Sequence, residues 1–207
     1  KDFFESSMDE NKVSEMLPRT MRDLPPIDLT VCNTDLKSVA RIFAQVIDAK
    51  HGYTAGHSER VAKYTYTIAK AMDMPKAEIE ELEIAAYLHD AGKIAVPKSI
   101  LDKPAPLTLE EFRQIKRHPI YTMEILSMVS ELKRLAPIAG GHHERYDGNG
   151  YPHGNMGQSI PLGARIMAVA DAFDSMTSFR PYQKNREVAE AKDILIRNSG
   201  SQFDPAI

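Results

Sequence analysis

Apolar residues return every three or four positions through most of the chain after Thr34, the spacing that lines one face of an α-helix. Leu36, Val39, Ala40, Phe43, Val46 and Ile47 make the first such stripe and predict an amphipathic helix to about Lys50. Gly52–Gly56 reads as a loop. A second helix starts near Gly56 or His57, with His57, Val61, Tyr64, Ile68 and Met72 on one stripe. Pro75 suits the first turn of a third helix, where its missing N–H costs nothing, and Ile79, Leu82, Ala85, Ala86 and Leu88 lead from it to His89-Asp90.

Residues 94–107, with Pro97, Pro104 and Pro106, are expected to form an irregular connection. Thr108 and Glu111 make a capping box ahead of Phe112 and Ile115. Pro119 biases His118 away from the α region, so a break is expected there, with helices over roughly 120–130 and 131–140 beyond it. Gly140 to Pro161 is rich in glycine and reads as a long ordered or functional loop. Helices resume over 163–178, with Ile166, Val169, Ala170, Phe173 and Met176 inward, and over 185–198. No stretch sustains period-two alternation, so the expected fold is all-α, with one domain over 34–207. Residues 1–33, polar and broken by Pro18, Pro25 and Pro26, read as a linker or the remnant of an upstream region.

Composition narrows the class. Of the 207 residues, 43% are hydrophobic and 27% charged, which is ordinary for a globular protein and argues against disorder. No apolar run approaches the roughly 18–20 residues that span a bilayer, and no signal peptide opens the chain, which begins at Lys1 and so reads as a piece of something longer. Cys32 stands alone, which removes disulfide frameworks and cysteine zinc sites and fits a reducing cytoplasm. A net charge of −3 carries no footprint for a nucleic-acid duplex. An anionic substrate would need local positive charge from metal ions or a few placed Lys and Arg residues.

Candidate chemistry gathers at the predicted helix ends: His57, His89-Asp90, His118, His142-His143, with Asp171 in the helix that follows the loop. Taken singly these have bland explanations. A histidine on an apolar stripe, like His57, is more often a satisfied core residue, and His118 before a proline is usually a turn residue. Adjacent imidazoles after Gly140-Gly141 are a less ordinary way to build a loop. A carboxylate among Val169, Ala170, Ala172 and Phe173 would be costly unless a metal or an arginine met it. Helices packed on one core can converge their ends on a shared metal site. Seven nitrogen and oxygen ligands exceed the needs of one tetrahedral zinc and match two ions, with Asp90 free to bridge them.

His89-Asp90 with Lys93 resembles the signature of the HD superfamily of metal-dependent phosphohydrolases. The run His142-His143-Glu144-Arg145-Tyr146-Asp147-Gly148-Asn149-Gly150-Tyr151-Pro152 resembles the defining motif of its HD-GYP branch. Tyr53 to Ser58, Ala170 to Asp174 and Thr177 to Tyr182 add to the likeness, which covers roughly residues 35–207. The resemblance implies an HD-domain helical bundle that hydrolyses cyclic di-GMP to pGpG, with GMP as an open further product. It also implies a bacterial cytoplasmic setting behind a sensory or receiver domain. By the same resemblance His57, His89, Asp90, His118, His142, His143 and Asp171 are metal ligands and Asp174 supports them from behind. Two ions roughly 3.5–4 Å apart would then hold a hydroxide for attack on phosphorus. Iron or manganese is what the family implies, with nickel, cobalt and zinc admitted by the ligand types.

Lys93 is expected to stabilise charge on the phosphoryl oxygens. Arg180 would contact the substrate phosphate, and Gly150 and Tyr151 would wall the groove. The family's second basic residue falls at Gln183 here, with Lys184 beside it, and Tyr53 stands where some members place a glutamate for a third metal. His51 and His153 read as surface residues. A 3′,3′-cyclic GMP-AMP phosphodiesterase and a catalytically silent binding module stay open as alternatives, as does a homodimer.

Overall fold

Alanines set how closely the centre of the molecule packs. Ala62 and Ala69 on one helix, Ala85 and Ala86 on the next, and Ala164 and Ala170 on a third are fully buried. A methyl group in place of a longer side chain lets helices approach closely, which brings short polar side chains on those helices within reach of one another. The computed structural model describes residues 33–50, 56–178 and 185–207, with side chains from Leu36 onward in the first segment.

The helices are α1 (Asn33–Lys50), α2 (His57–Ala71), α3 (Lys76–Leu88), α4 (Lys98–Leu101), α5 (Leu109–Ile115), α6 (His118–Ser127), α7 (Ala136–Gly140), α8 (Leu162–Thr177) and α9 (Val188–Arg197). Short 3-10 turns lie at Ala91–Ala95, Lys133–Leu135 and Gly157–Ser159. α2 packs on α1, α3 and α8, while α6 packs on α7 and on the turn that follows α3. Among the described residues there is no strand, and Ser199 and Phe203 form an isolated bridge. The fold is an all-α bundle, and no helix is long and apolar enough to cross a membrane among the described residues.

Several expectations shift at this level. Thr108 and Glu111 do form the capping box, each side chain meeting the other's backbone N–H. His118 is itself the first residue of α6, with Pro119 next, and the break falls at Lys116-Arg117 instead. Proline is tolerated in a first helical turn, where its missing donor has no partner to lose. The connection over 94–107 is not wholly irregular, because Pro97 leads directly into α4. The segment expected as two helices beyond His118 is α6, a 3-10 turn and the short α7. Of the apolar residues described on α1, Leu36, Ala40, Ala44 and Ile47 are buried, whereas Val39, Ile42, Phe43 and Val46 are exposed, because α2 and α3 cover just one flank. On α8 Met167 joins Ile166 and Ala170 in the core, while Val169, Phe173 and Met176 are half-buried.

The crossing of α6 with the turn after α3 depends on Gly92. Its N–H donates to Thr122 Oγ1 (2.9 Å), and that hydroxyl donates to the His89 carbonyl (2.9 Å). A Cβ on Gly92 would stand 2.0 Å from the His118 carbonyl oxygen and 2.6 Å from the Thr122 nitrogen. Backbone cannot yield as a flexible side chain does. Gly92→Ala is therefore expected to destabilise the domain by roughly 3 kcal/mol, read as a lower melting temperature. An unchanged melting curve would show that this crossing has slack.

Candidate metal centre

Five helices deliver polar side chains to one buried region. His57 opens α2, His89 and Asp90 follow α3, His118 opens α6, and His142 and His143 follow α7. Asp171 alone sits in mid-helix, on α8. The side chains form two groups, His57 with His89 and Asp171, and His118 with His142 and His143, and a third set of His89, Asp90 and His142 links them, the potential ligand atoms within each set lying no more than 4.8 Å apart.

Asp90 stands between the groups. Its Oδ2 lies 3.7 Å from His57 Nε2 and 3.4 Å from His89 Nε2. Its Oδ1 lies 3.3 Å from His118 Nε2 and 3.9 Å from His142 Nε2. One carboxylate thus turns an oxygen to each side.

The imidazoles are held by their outer nitrogens. His89 Nδ1 meets the Ala86 carbonyl (2.7 Å), His118 Nδ1 that of Ile115 (2.7 Å), and His142 Nδ1 that of Ala139 (2.6 Å). A carbonyl only accepts, so Nδ1 carries the proton and Nε2 turns a lone pair inward, the tautomer a metal requires. His57 Nδ1 is held by Asp174 Oδ2 instead (2.8 Å). Asp174 also accepts from Arg60 Nε (2.6 Å) and from the Ser178 hydroxyl (2.9 Å). Arg60 lies one helical turn beyond His57, and no reading of the motif pointed to it.

A cation fits this arrangement on two independent grounds. His89 Nε2 and Asp90 Oδ1 are buried without a hydrogen-bond partner among the described residues, a situation that costs about 1–3 kcal/mol for each such atom. The approach of His118 Nε2 to Asp90 Oδ1 is that of two groups facing a common point. Charge states agree. Burial pushes His142 down to about 3, helped by the neighbouring His89 and His118, and burial likewise lowers His89 and His143. Burial opposes the Asp90 carboxylate, but Lys93, His89 and His118 together hold it well below the usual carboxylate range. Asp171 is treated similarly by His57, His89 and His142 against the pull of burial. Burial disfavours a charged His57 as well, but Asp174, Asp171 and Asp90 outweigh it and raise that imidazole above its ordinary value. His89, His142 and His143 are therefore neutral imidazoles beside the ionised carboxylates of Asp90 and Asp171.

Asp174 titrates at about 2, burial being outweighed by its bonds to His57 and Arg60. Replacing it by Asn keeps the shape and removes the charge that steadies His57. Asp174→Asn is expected to weaken metal binding about 10- to 100-fold, measured by competition with a chelator. Equal affinity in the variant would mean that Arg60 alone positions the site.

Above the centre, residues 141–156 fold around Glu144, which is buried. Its Oε1 accepts from the His153 N–H (2.7 Å) and its Oε2 from the Asn155 N–H (3.1 Å). The Tyr151 N–H returns to the His143 carbonyl (3.1 Å), and a Cβ on Gly150 would fall 2.3 Å from the Arg145 nitrogen. Glycine is required there by close approach of backbone to backbone. Tyr146 and Asp147 donate to the Gln202 and Ser201 carbonyls, and Asp204 is bound by Arg165 on α8. The Tyr151 ring lies 4.7 Å from that of His143, and burial raises its phenol pKa, so it stays an O–H donor. His142, His143 and Asp171 form part of the wall of a cavity of about 480 Å³ together with Phe112, Lys116 and Tyr151.

A family model described as "HD domain" matches residues 41–207. The chain belongs to the HD domain family. It is 41% identical over 196 residues to 3′3′-cGAMP-specific phosphodiesterase 3 of Vibrio cholerae, covering 94% of this chain and 42% of that one. It is 43% identical over 164 residues to the cyclic di-GMP phosphodiesterase response regulator RpfG of Xanthomonas campestris, covering 78% and 43% respectively. This HD domain thus spans less than half the length of these curated relatives. Its fold superposes on an HDG"Y"P protein from Bdellovibrio bacteriovorus with a TM-score of 0.59 at 20% identity, over 93% of this chain and 63% of the other.

Within the HD domain all seven residues expected as ligands come together, and Asp174 lies behind His57. Lys93 reaches Asp90 Oδ2 (2.5 Å) and is absent from the cavity wall, while Gly150 and Tyr151 line that wall. Arg180 and Lys184 lie outside the described residues, as does His51; His153 is exposed. Sequence reasoning passed over Glu144 as a loop-former, and over Lys116, Phe112, Gln202 and Phe203 as cavity residues. Glu144 was within sight, since it stands inside the long motif, but the N–H groups it gathers lie nine and eleven positions away.

Proposed function

We propose that this HD domain is a phosphodiesterase of the HD-GYP branch that opens cyclic di-GMP to pGpG at a binuclear metal centre. The observation that carries this reading is Asp90, whose two oxygens face separate histidine groups. His57, His89 and Asp171 would hold one ion, His118, His142 and His143 the other, and Asp90 both. Such a pair supplies an activated water and neutralises phosphodiester charge. Iron or manganese is the metal proposed, because imidazole and carboxylate donors suit both.

The chain's own groups then divide the remaining work. Carbonyl-held imidazoles fix the direction from which phosphate can be met. Lys93 contributes a compact positive charge beside Asp90, where negative charge grows on the phosphoryl oxygens as water adds and the bond to the 3′ oxygen breaks. The Tyr151 hydroxyl offers a donor at the cavity wall, and Arg180 is proposed as a planar phosphate contact. A cytoplasmic bacterial setting behind a signal-receiving domain belongs to the same reading, supported by the name of the Xanthomonas relative as a response regulator.

A second reading, 3′,3′-cyclic GMP-AMP as preferred substrate, is favoured by the name of the Vibrio relative that matches 94% of this chain. The test is anaerobic purification, elemental analysis and separation of products after incubation with each dinucleotide. Linear pGpG from cyclic di-GMP, with more than one equivalent of transition metal, is the expected result. Faster opening of the mixed dinucleotide would select the second reading. Less than one equivalent of metal together with no product from either would leave a silent binding module.

A further inference from the structure

Lys116 caps the end of α5, two residues before His118 begins α6, so one tight turn presents a candidate ligand to the buried centre and an ammonium to the cavity. Its Nζ lies 5.0 Å from the centroid of the Phe112 ring and 5.0 Å from that of Tyr151. Tyr151 in turn stacks near His143. The cation is therefore one aromatic ring removed from the metal centre. Among the described residues no carboxylate lies within ion-pair distance of it. Cation–π contacts of this kind hold an ammonium in place without neutralising it, and the negative end of the α5 dipole adds to the hold.

A cyclic dinucleotide carries two phosphodiesters on opposite sides of one ring, and a binuclear centre can engage only one of them at a time. The other remains an anion next to a protein of net charge −3. At position 183, where the family resemblance places a second basic residue, this chain has Gln183. We propose that Lys116 holds the phosphate that is not at the metal centre, and so serves as the second phosphate contact of this domain. The inference rests on the cyclic-dinucleotide reading of the site. The phenol O–H of Tyr151, beside Lys116, offers a donor to the same phosphate.

The test compares wild type, Lys116→Gln and Lys116→Arg as metal-loaded proteins, with cyclic di-GMP as substrate at several salt concentrations. Lys116→Gln is expected to raise KM about tenfold, the loss of one charge-assisted contact, while kcat falls less than about threefold and metal content holds. The salt dependence of KM should flatten in the same variant, because the screened charge is gone. Lys116→Arg should restore most of both. A KM within about twofold of wild type, or an unchanged salt dependence, would overturn the assignment. So would a loss confined to kcat or accompanied by metal release, which would place Lys116 among the groups that build the centre. Wild-type protein that binds metal yet opens no cyclic dinucleotide would refute the underlying reading of the site, a result distinct from a failure of Lys116 alone.

Discussion

Asp90→Ala is expected to abolish hydrolysis of cyclic dinucleotides and to lower metal content in the same protein. The carboxylate is buried, faces His57 and His89 with one oxygen and His118 and His142 with the other, and has Lys93 against it. A methyl group there removes the carboxylate that faces both histidine groups, which leaves His118, His142 and His143 with no anion beside them among the described residues and His57 and His89 with Asp171 alone. The expected loss is roughly 1,000-fold or more in turnover, about 4 kcal/mol of transition-state stabilisation. Product chromatography and elemental analysis on the same preparation check it, with a melting curve to show that the variant is folded. Near-normal turnover would sink the binuclear reading. Asp90→Asn sharpens the result, because it keeps the shape and loses the charge.

Lys93→Ala should separate what Asp90→Ala removes together. Lys93 and Asp90 share one turn of backbone, yet an ammonium has no lone pair to offer a metal, so its deletion leaves every proposed ligand atom in place. Turnover is expected to fall about 100- to 1,000-fold, the range for removing one preorganised donor from a developing oxyanion. Metal content should stay near that of wild type, since cations bound at Asp90 would supply the charge that Lys93 now supplies. Metal loss matching the loss of rate would contradict the division of labour and make Lys93 a structural partner of Asp90.

The parts of this site that were readable in the sequence are those that depend on local backbone. His89, His118 and His142 each bond the carbonyl three residues before them, a local contact, but singly they have bland explanations, and it is their gathering near predicted helix ends, with the motifs around them, that marks them. The all-α bundle follows from helical periodicity. What period cannot tell is which apolar flank a neighbour covers. Val39, Phe43 and Val46 fit the α1 stripe as well as Leu36 and Ile47, and only the placement of α2 and α3 separates them. Nor does it show where a carboxylate will gather distant N–H groups, so the fold of the loop around Glu144 and its pairing with Ser201 and Gln202 had no local signal. Arg60 is an intermediate case. Its spacing from His57 puts both on one helix face, but its purpose appears only when Asp174 arrives from α8.

The convergence of five helices on a polar centre has a thermodynamic consequence as well as a chemical one. The residues proposed as ligands come from α2, α3, α6, α7 and α8 and do not exist as a set in the unfolded chain, so an ion that binds the assembled set alone would act as a crosslink between all five. At a free concentration a hundredfold above its dissociation constant, one such ion would add about 2.7 kcal/mol to the stability of the fold. The persistence of this domain would then follow the supply of metal around it, and starvation for the ion would remove the protein together with its activity.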